Sequence, residues 1–151
     1  MSNGVTSTLP ESYEDPSCQE KIYNINEMIS LQKRRVLLIE DDRTTRRLVH
    51  GAIGNHCRLS EAENAGTGIS KYIHFDPDIV FLDLNLPDGN GHHILNWIMK
   101  NDPGAYVVIF TGSHERQDIK RAMSNGARGY VKKPFDPSMM MYHICRSPLT
   151  Y

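Results

Sequence analysis

Residues 78–91 read DIVFLDLNLPDGNG, and this stretch decides the fold. Its apolar run, Ile79 to Leu82, lies between Asp76-Pro77 and Pro87-Asp88-Gly89. A short apolar run between turn signals predicts a strand buried on both faces, as in a parallel sheet. Asp83 follows the run directly. An ionised carboxylate there is costly unless positive charge meets it. In open parallel α/β sheets, ligands bind at the carboxyl ends of the strands. Asp83 is therefore the first candidate for chemistry, against the plainer alternative of an Asp that caps a turn.

Working outward, the same pattern recurs. Arg35-Val36-Leu37-Leu38-Ile39 is a second buried-strand run, followed by Glu40-Asp41-Asp42. Arg58 to Ala62 predicts a more polar strand nearer an edge. Tyr106 to Phe110 predicts another strand ending in Thr111-Gly112-Ser113, and Arg128 to Val131 a fifth ending in Lys132-Lys133-Pro134. Between them, helical spacing predicts helices over 44–53 (Leu48, Val49, Ala52 and Ile53 inward), 68–75 (Ile69, Tyr72 and Ile73 on one side), about 92–100, 115–124 and 137–146. Gly54, Asp76-Pro77 and Gly126 are the stops. Strands alternating with helices define an α/β fold, a parallel sheet with helices on both faces.

Residues 1–16, rich in Ser, Thr, Pro and acid, predict a disordered tail. Ser17-Cys18-Gln19-Glu20 fits a capping box, and Ile22, Ile25, Met28 and Ile29 then recur at helical spacing. This predicts an amphipathic helix from about Cys18 to Leu31, within an appended helix-and-linker segment, 17–32. Its stripe packs either on its own domain or on a partner, such as the same helix across a homodimer. The folded domain spans 33–147, with 148–151 as a tail. Charge is balanced, 17 basic against 18 acidic residues for a net of -1, without the clustered basic excess of a nucleic-acid binder. The short basic clusters, Arg34-Arg35 and Arg46-Arg47 among them, read as solvated surface. Cys18, Cys57 and Cys145, odd in number and without a C-x-x-C pair, suggest reduced thiols in a cytoplasmic protein. No stretch approaches the roughly 18 apolar residues of a membrane span.

In a parallel sheet the strand ends share one edge, so Glu40, Asp41, Asp42, Asp83, Thr111 and Lys133 converge. Two carboxylates at ~4–5 Å and an effective dielectric near ~20 repel by on the order of 3–4 kcal/mol. A divalent cation relieves that repulsion, and an all-oxygen site with few protein ligands favours Mg²⁺. The main-chain carbonyl of Asn85 is a further oxygen nearby. The set suits phosphoryl transfer to a carboxylate, with Asp83 as nucleophile, Lys133 and Mg²⁺ offsetting charge, and the Thr111 hydroxyl donating to a phosphoryl oxygen. Gly112 leaves space beside it.

The pieces VLLIEDDRTTRRL, PDIVFLDLNLPDGNG, VVIFTGS and GARGYVKKPF, within Arg34 to Arg146, resemble the response-regulator receiver domain of two-component signalling, of the chemotaxis-regulator type. The resemblance implies a flavodoxin-like five-stranded sheet of order 2-1-3-4-5, with the N-terminal helix as an addition. It implies Asp83 as phospho-acceptor, Asp41 as direct metal ligand and Glu40 as a ligand through water, with Asp42 one place beyond the pair. It further implies Thr111 as switch hydroxyl, Lys133 as phosphate-binding lysine, Tyr130 as aromatic switch and a cis Lys133–Pro134 peptide. The implied donor is a histidine kinase or phosphotransfer protein. The implied output is a protein-binding surface on the fourth helix, fifth strand and fifth helix of the receiver, changed by a population shift. Such a chain is a switch and not a turnover enzyme, at most phosphorylating and slowly dephosphorylating itself with Mg²⁺. Glu40 stands where the pattern has a first Asp, and still supplies a carboxylate.

Three rivals compete. A haloacid-dehalogenase-type phosphatase needs a second Asp two places after the nucleophile, where this chain has Asn85. A dinucleotide site needs a third Gly at Ile94. A passive, unphosphorylated receiver, or a receiver cut from a longer regulator, keeps the fold. His92-His93 read as polar helix surface, and Met139-Met140-Met141 as a helix packed on the sheet.

Overall fold

The strands Arg35–Ile39 (β1), Ile79–Leu82 (β3) and Val107–Thr111 (β6) form the centre of a sheet in a computed structural model that describes residues 25–112 and 116–148. From Val36 to Ile39, Ile79 to Leu82 and Val107 to Thr111 every residue is buried, which only a sheet covered on both faces allows. Arg58–Ala62 (β2) and Gly129–Lys132 (β7) complete it as edges, giving the all-parallel order β2-β1-β3-β6-β7. A small antiparallel hairpin, Asn85–Leu86 (β4) with Gly89–Asn90 (β5), intervenes in chain order. Counted without it, the order is the expected 2-1-3-4-5. The expected tail 1–16, the Ser17–Glu20 capping box and the first turns of the N-terminal helix lie outside the described residues, as do Ser113, Glu115 and 149–151.

Six helices are described: Ile25–Lys33 (α1), Arg43–Ile53 (α2), Ala65–Phe75 (α3), Gly91–Asn101 (α4), Arg116–Ser124 (α5) and Pro137–Arg146 (α6). Alternation along each strand sorts the core into two layers. Val36, Leu38, Phe81, Phe110 and Val131 meet Leu31 of α1, Val49 and Ile53 of α2, and Met140 and Ile144 of α6. Leu37, Ile39, Leu82 and Ile109 meet Ile94, Leu95 and Ile98 of α4 and Ala122 of α5, with Tyr72 of α3 partly buried against them. Most helices start on a side-chain cap: Asp42, Asn64, Asn90 and Asp136 each accept from a backbone N–H of the first turn. Asp88, from the hairpin, also accepts from Ala65 N (2.7 Å) and Gly66 N (3.1 Å), tying the turn after β3 to α3.

Several expectations are corrected. Leu48 is 60% exposed and Ile73 58% exposed, so neither joins the inward stripe of its helix. At 100° per residue each stands beside the stripe, which Val49 and Ile53 carry in α2 and Gly68, Tyr72 and Phe75 carry in α3. In α1 it is Leu31 that enters the domain's own core, while Ile29 is 48% exposed; the helix continues to Lys33. His92 is not surface: it is 2% exposed in the first turn of α4, 3.5 Å from Asp118 of α5. Arg34, read as solvated, is buried and donates through Nε and Nη2 to the carbonyl of Ser147 at 3.3 and 3.0 Å, while Nη1 reaches Ser30. No helix among the described residues is long and apolar enough to cross a membrane.

Candidate functional site at the carboxyl edge of the sheet

Parallel register carries the site together. Ile39 pairs with Leu82 and Thr111 with Lys132, so Glu40, Asp83, Thr111 and Lys133 leave the same edge side by side. Chain order reverses between β2 and β3 on either side of β1, which opens a crevice there. Backbone bonds fix the ends: Glu40 N donates to Ala62 O, Asp83 N to Ile39 O and Lys133 N to Thr111 O, each at 2.9 Å. The Lys133–Pro134 peptide is cis.

Lys133 Nζ is the hub, meeting Glu40 Oε1 and lying 3.2 Å from Asp83 Oδ2. The other Asp83 oxygen, Oδ1, accepts from Asn85 N at 3.0 Å. One oxygen each from Glu40, Asp41 and Asp83 lies within 4.8 Å of the others, a spacing that can hold a metal ion. Glu40 and Asp83 are buried, whereas Asp41 is exposed. The donors are all oxygens, the chemistry a hard cation requires. Burial pushes the Glu40 carboxyl up to about 7, against the pull of Lys133 and the Asp42 N–H and with the added push of the Asp83 charge. Burial pulls Lys133 down, but its hydrogen bond to Glu40 and the charge of Asp83 outweigh that and hold the ammonium above its ordinary value.

Of the residues singled out in the sequence, Glu40, Asp41, Asp83 and Lys133 come together at this edge. Thr111 is buried at the end of β6, and Gly112 beside it is exposed. Asn85 is exposed in β4 with its N–H turned to Asp83. Tyr130 is half-buried in β7, against the α3–α4–α5 layer. Asp42 is taken up by a cap: it starts α2, accepting from Thr45 N at 2.7 Å and Thr45 Oγ1 at 2.6 Å, and both bonds lower its carboxyl. Two residues were missed. Gly91 packs so tightly under the site that a Cβ there would lie 2.3 Å from Asp83 O; the sequence signal is only a Gly at the start of a helix. Arg46, counted as surface, is 15% exposed, and its Nη1 donates to both Glu40 O (2.8 Å) and Asp41 O (2.9 Å). Its charge faces Glu61 at 3.9 Å and Glu63 at 3.7 Å.

A doubly covered parallel sheet with an acidic group, a buried Thr and a Lys at its carboxyl edge defines a receiver-type signalling module. The family model for the response regulator receiver domain matches residues 36–144, and the chain belongs to that family. The chemotaxis protein CheY of Halobacterium salinarum is 32% identical over 109 residues, 71% of this chain and 91% of that protein. CheY of Thermotoga maritima is 30% identical over 110 residues, 72% of this chain and 92% of that protein. A two-component response regulator of the LuxR family from Aurantimonas superposes with a TM-score of 0.67 at 30% identity, covering 73% of this chain and 81% of that one. Receiver domains are mainly signalling switches.

Proposed function

We propose that the chain is a phosphorylation-dependent switch in a two-component phosphorelay, acting in the cytoplasm and accepting a phosphoryl group on Asp83 from a histidine kinase or a phosphotransfer protein. The observation that carries this reading is the reach of Lys133 Nζ to both Glu40 and Asp83, beside Asp41 in the same group. An Asp83 carboxylate oxygen attacks phosphorus. The O–P bond forms as the P–N bond to the donor imidazole breaks, and the electron pair stays on the imidazole nitrogen. Asp41, Asp83 and the Asn85 carbonyl would hold Mg²⁺ directly and Glu40 through water, as the all-oxygen donor set favours. Bound there, the cation offsets charge on the transferring oxygens. Lys133 adds a second positive group, and Thr111 donates its hydroxyl to a phosphoryl oxygen.

In this reading Tyr130 turns inward as Thr111 moves toward the phosphoryl group, and the α5–β7–α6 face changes its preference for a downstream protein. A groove of about 490 Å³ on that side, lined by Tyr106, Arg128, Tyr130, Tyr142, His143 and Arg146, supports a protein-binding role. Arg128 stands over Tyr106 and Arg146 over Tyr142, at 5.6 and 5.3 Å from the ring centroids. In this reading the receiver spans 33–147, and α1 is an element appended ahead of it.

The test is phosphorylation by a small-molecule phosphodonor with Mg²⁺. The natural chain is expected to acquire acid-stable, base-labile acyl phosphate on Asp83, and Asp83→Asn to acquire none. Undiminished label in that variant ends the assignment.

A further inference from the structure

The three carboxylates of the acidic group are not held alike. Glu40 and Asp83 share Lys133, and Asp83 also accepts from Asn85 N. Asp42 is spent on its cap. The Asp41 carboxylate has no hydrogen bond or ion pair among the described residues, and it is exposed. With no side-chain partner to hold it, its starting direction is set by the backbone. That backbone is gripped from one side: the carbonyls of Glu40 and Asp41, in consecutive peptides, converge on the single Nη1 of Arg46. Both are charge-assisted hydrogen bonds, stronger than the neutral kind. They fix the peptide planes flanking Asp41 and therefore the direction of its Cα–Cβ bond. Arg46 is itself anchored in the first turn of α2, its N–H donating to Asp42 O at 3.0 Å.

Such a clamp places positive charge beside a cation site. Glu61 on β2 and Glu63 just beyond it face the remaining guanidinium nitrogens at 3.9 and 3.7 Å, drawing that charge away from the carboxylates. Arginine suits the position because its planar fork serves carbonyls on one edge and carboxylates on the other; a lysine ammonium is a point charge.

We propose that Arg46 is a positioning residue that presets Asp41 for the divalent cation by holding the carbonyls of Glu40 and Asp41. This rests on the phospho-acceptor reading above and adds a residue to it. Charge alone predicts the opposite effect: removing a cation from the neighbourhood should tighten Mg²⁺ binding. The experiment is calorimetric titration of the full chain with Mg²⁺, for the natural sequence, Arg46→Ala, Arg46→Lys and the exposed control Arg47→Ala, each also melted in EDTA and in excess Mg²⁺.

The clamp predicts that Arg46→Ala raises the Mg²⁺ Kd by on the order of tenfold, shrinks the Mg²⁺-induced rise in Tm, and is partly rescued by Arg46→Lys, with Arg47→Ala unchanged. Equal or tighter binding by Arg46→Ala overturns the proposal, as does a lowered Tm in EDTA with unaltered Mg²⁺ affinity. If Arg46→Ala does not fold, Arg46→Lys binding Mg²⁺ as tightly as the natural chain overturns it. A natural chain that binds Mg²⁺ but takes no label on Asp83 defeats the phospho-acceptor reading alone.

Discussion

His143→Leu isolates one titration that the fold opposes. His143 is buried in α6, its Nδ1 lacks a hydrogen-bond partner among the described residues, and its ring lies where a Cβ on Gly129 would come within 2.5 Å. Burial first, and then the nearby Arg146 charge, lowers the imidazole from its ordinary 6.5 to about 4. The fold therefore accommodates the neutral ring. A depressed folded-state value means the stability is fully present above pH 6.5 and is lost as pH falls through about 4. The whole displacement is worth about 3 kcal/mol, of which about 2 kcal/mol is lost by pH 5. Glu40 works in the other sense. Its folded value is raised from 4.5 to about 7, so its stability is present below 4.5 and lost as pH rises through about 7. In the metal-free natural chain the two slopes oppose each other between pH 7.5 and pH 5, which is why the variant is needed. Urea unfolding in EDTA at both pH values supplies the free energies. On acidification, His143→Leu should gain about 2 kcal/mol relative to the natural chain. A gap between the two proteins that stays constant across these pH values refutes the account of the buried imidazole.

Because protonated Glu40 is neutral, Mg²⁺ affinity should fall below pH 7, approaching about tenfold per pH unit; calorimetry at pH 8, 7 and 6 checks it, and a flat profile counts against Glu40. Gly91→Ala forces a Cβ against Asp83 O and Leu84 Cα, at 2.3 and 2.6 Å. Strand end and helix must separate by about 1 Å, at a cost of about 1–3 kcal/mol, seen as a lower thermal midpoint together with weaker labelling of Asp83. Cys57 is buried and its thiol is pushed up to about 12, so it should resist alkylation at pH 8 in the native protein and react after unfolding in urea, as read by peptide mass mapping.

What the sequence disclosed follows from how locally each feature is determined. β1 and β3 were legible because a strand covered on both faces writes a continuous apolar run, and the acids after them stand at its ends. β2 spans the expected residues, a short polar strand that ends on the buried Ala62. β6 and β7 begin one residue later than expected, a shift that follows backbone pairing and not composition. The hairpin Asn85–Asn90 left no trace, because two-residue strands have no period. His92 reads as polar, yet α5 closes over it, a contact made 26 positions away by Asp118. Arg34 was hidden for the same reason. The carbonyl that takes up Arg34 belongs to Ser147, 113 residues along the chain. For the acidic group the residues themselves were legible, but not which of them the fold grips and which it leaves to its backbone.

The bond from Arg34 to Ser147 has a topological meaning. One guanidinium pins the peptide just before β1 to the residue just after α6, so the path through the receiver begins and finishes at one corner. A loop almost closed on itself is a candidate for circular permutation. A short linker joining the two ends, with the chain reopened at the exposed Asp102–Gly104 turn, would leave the five-stranded order intact and put the new termini at the opening of β6.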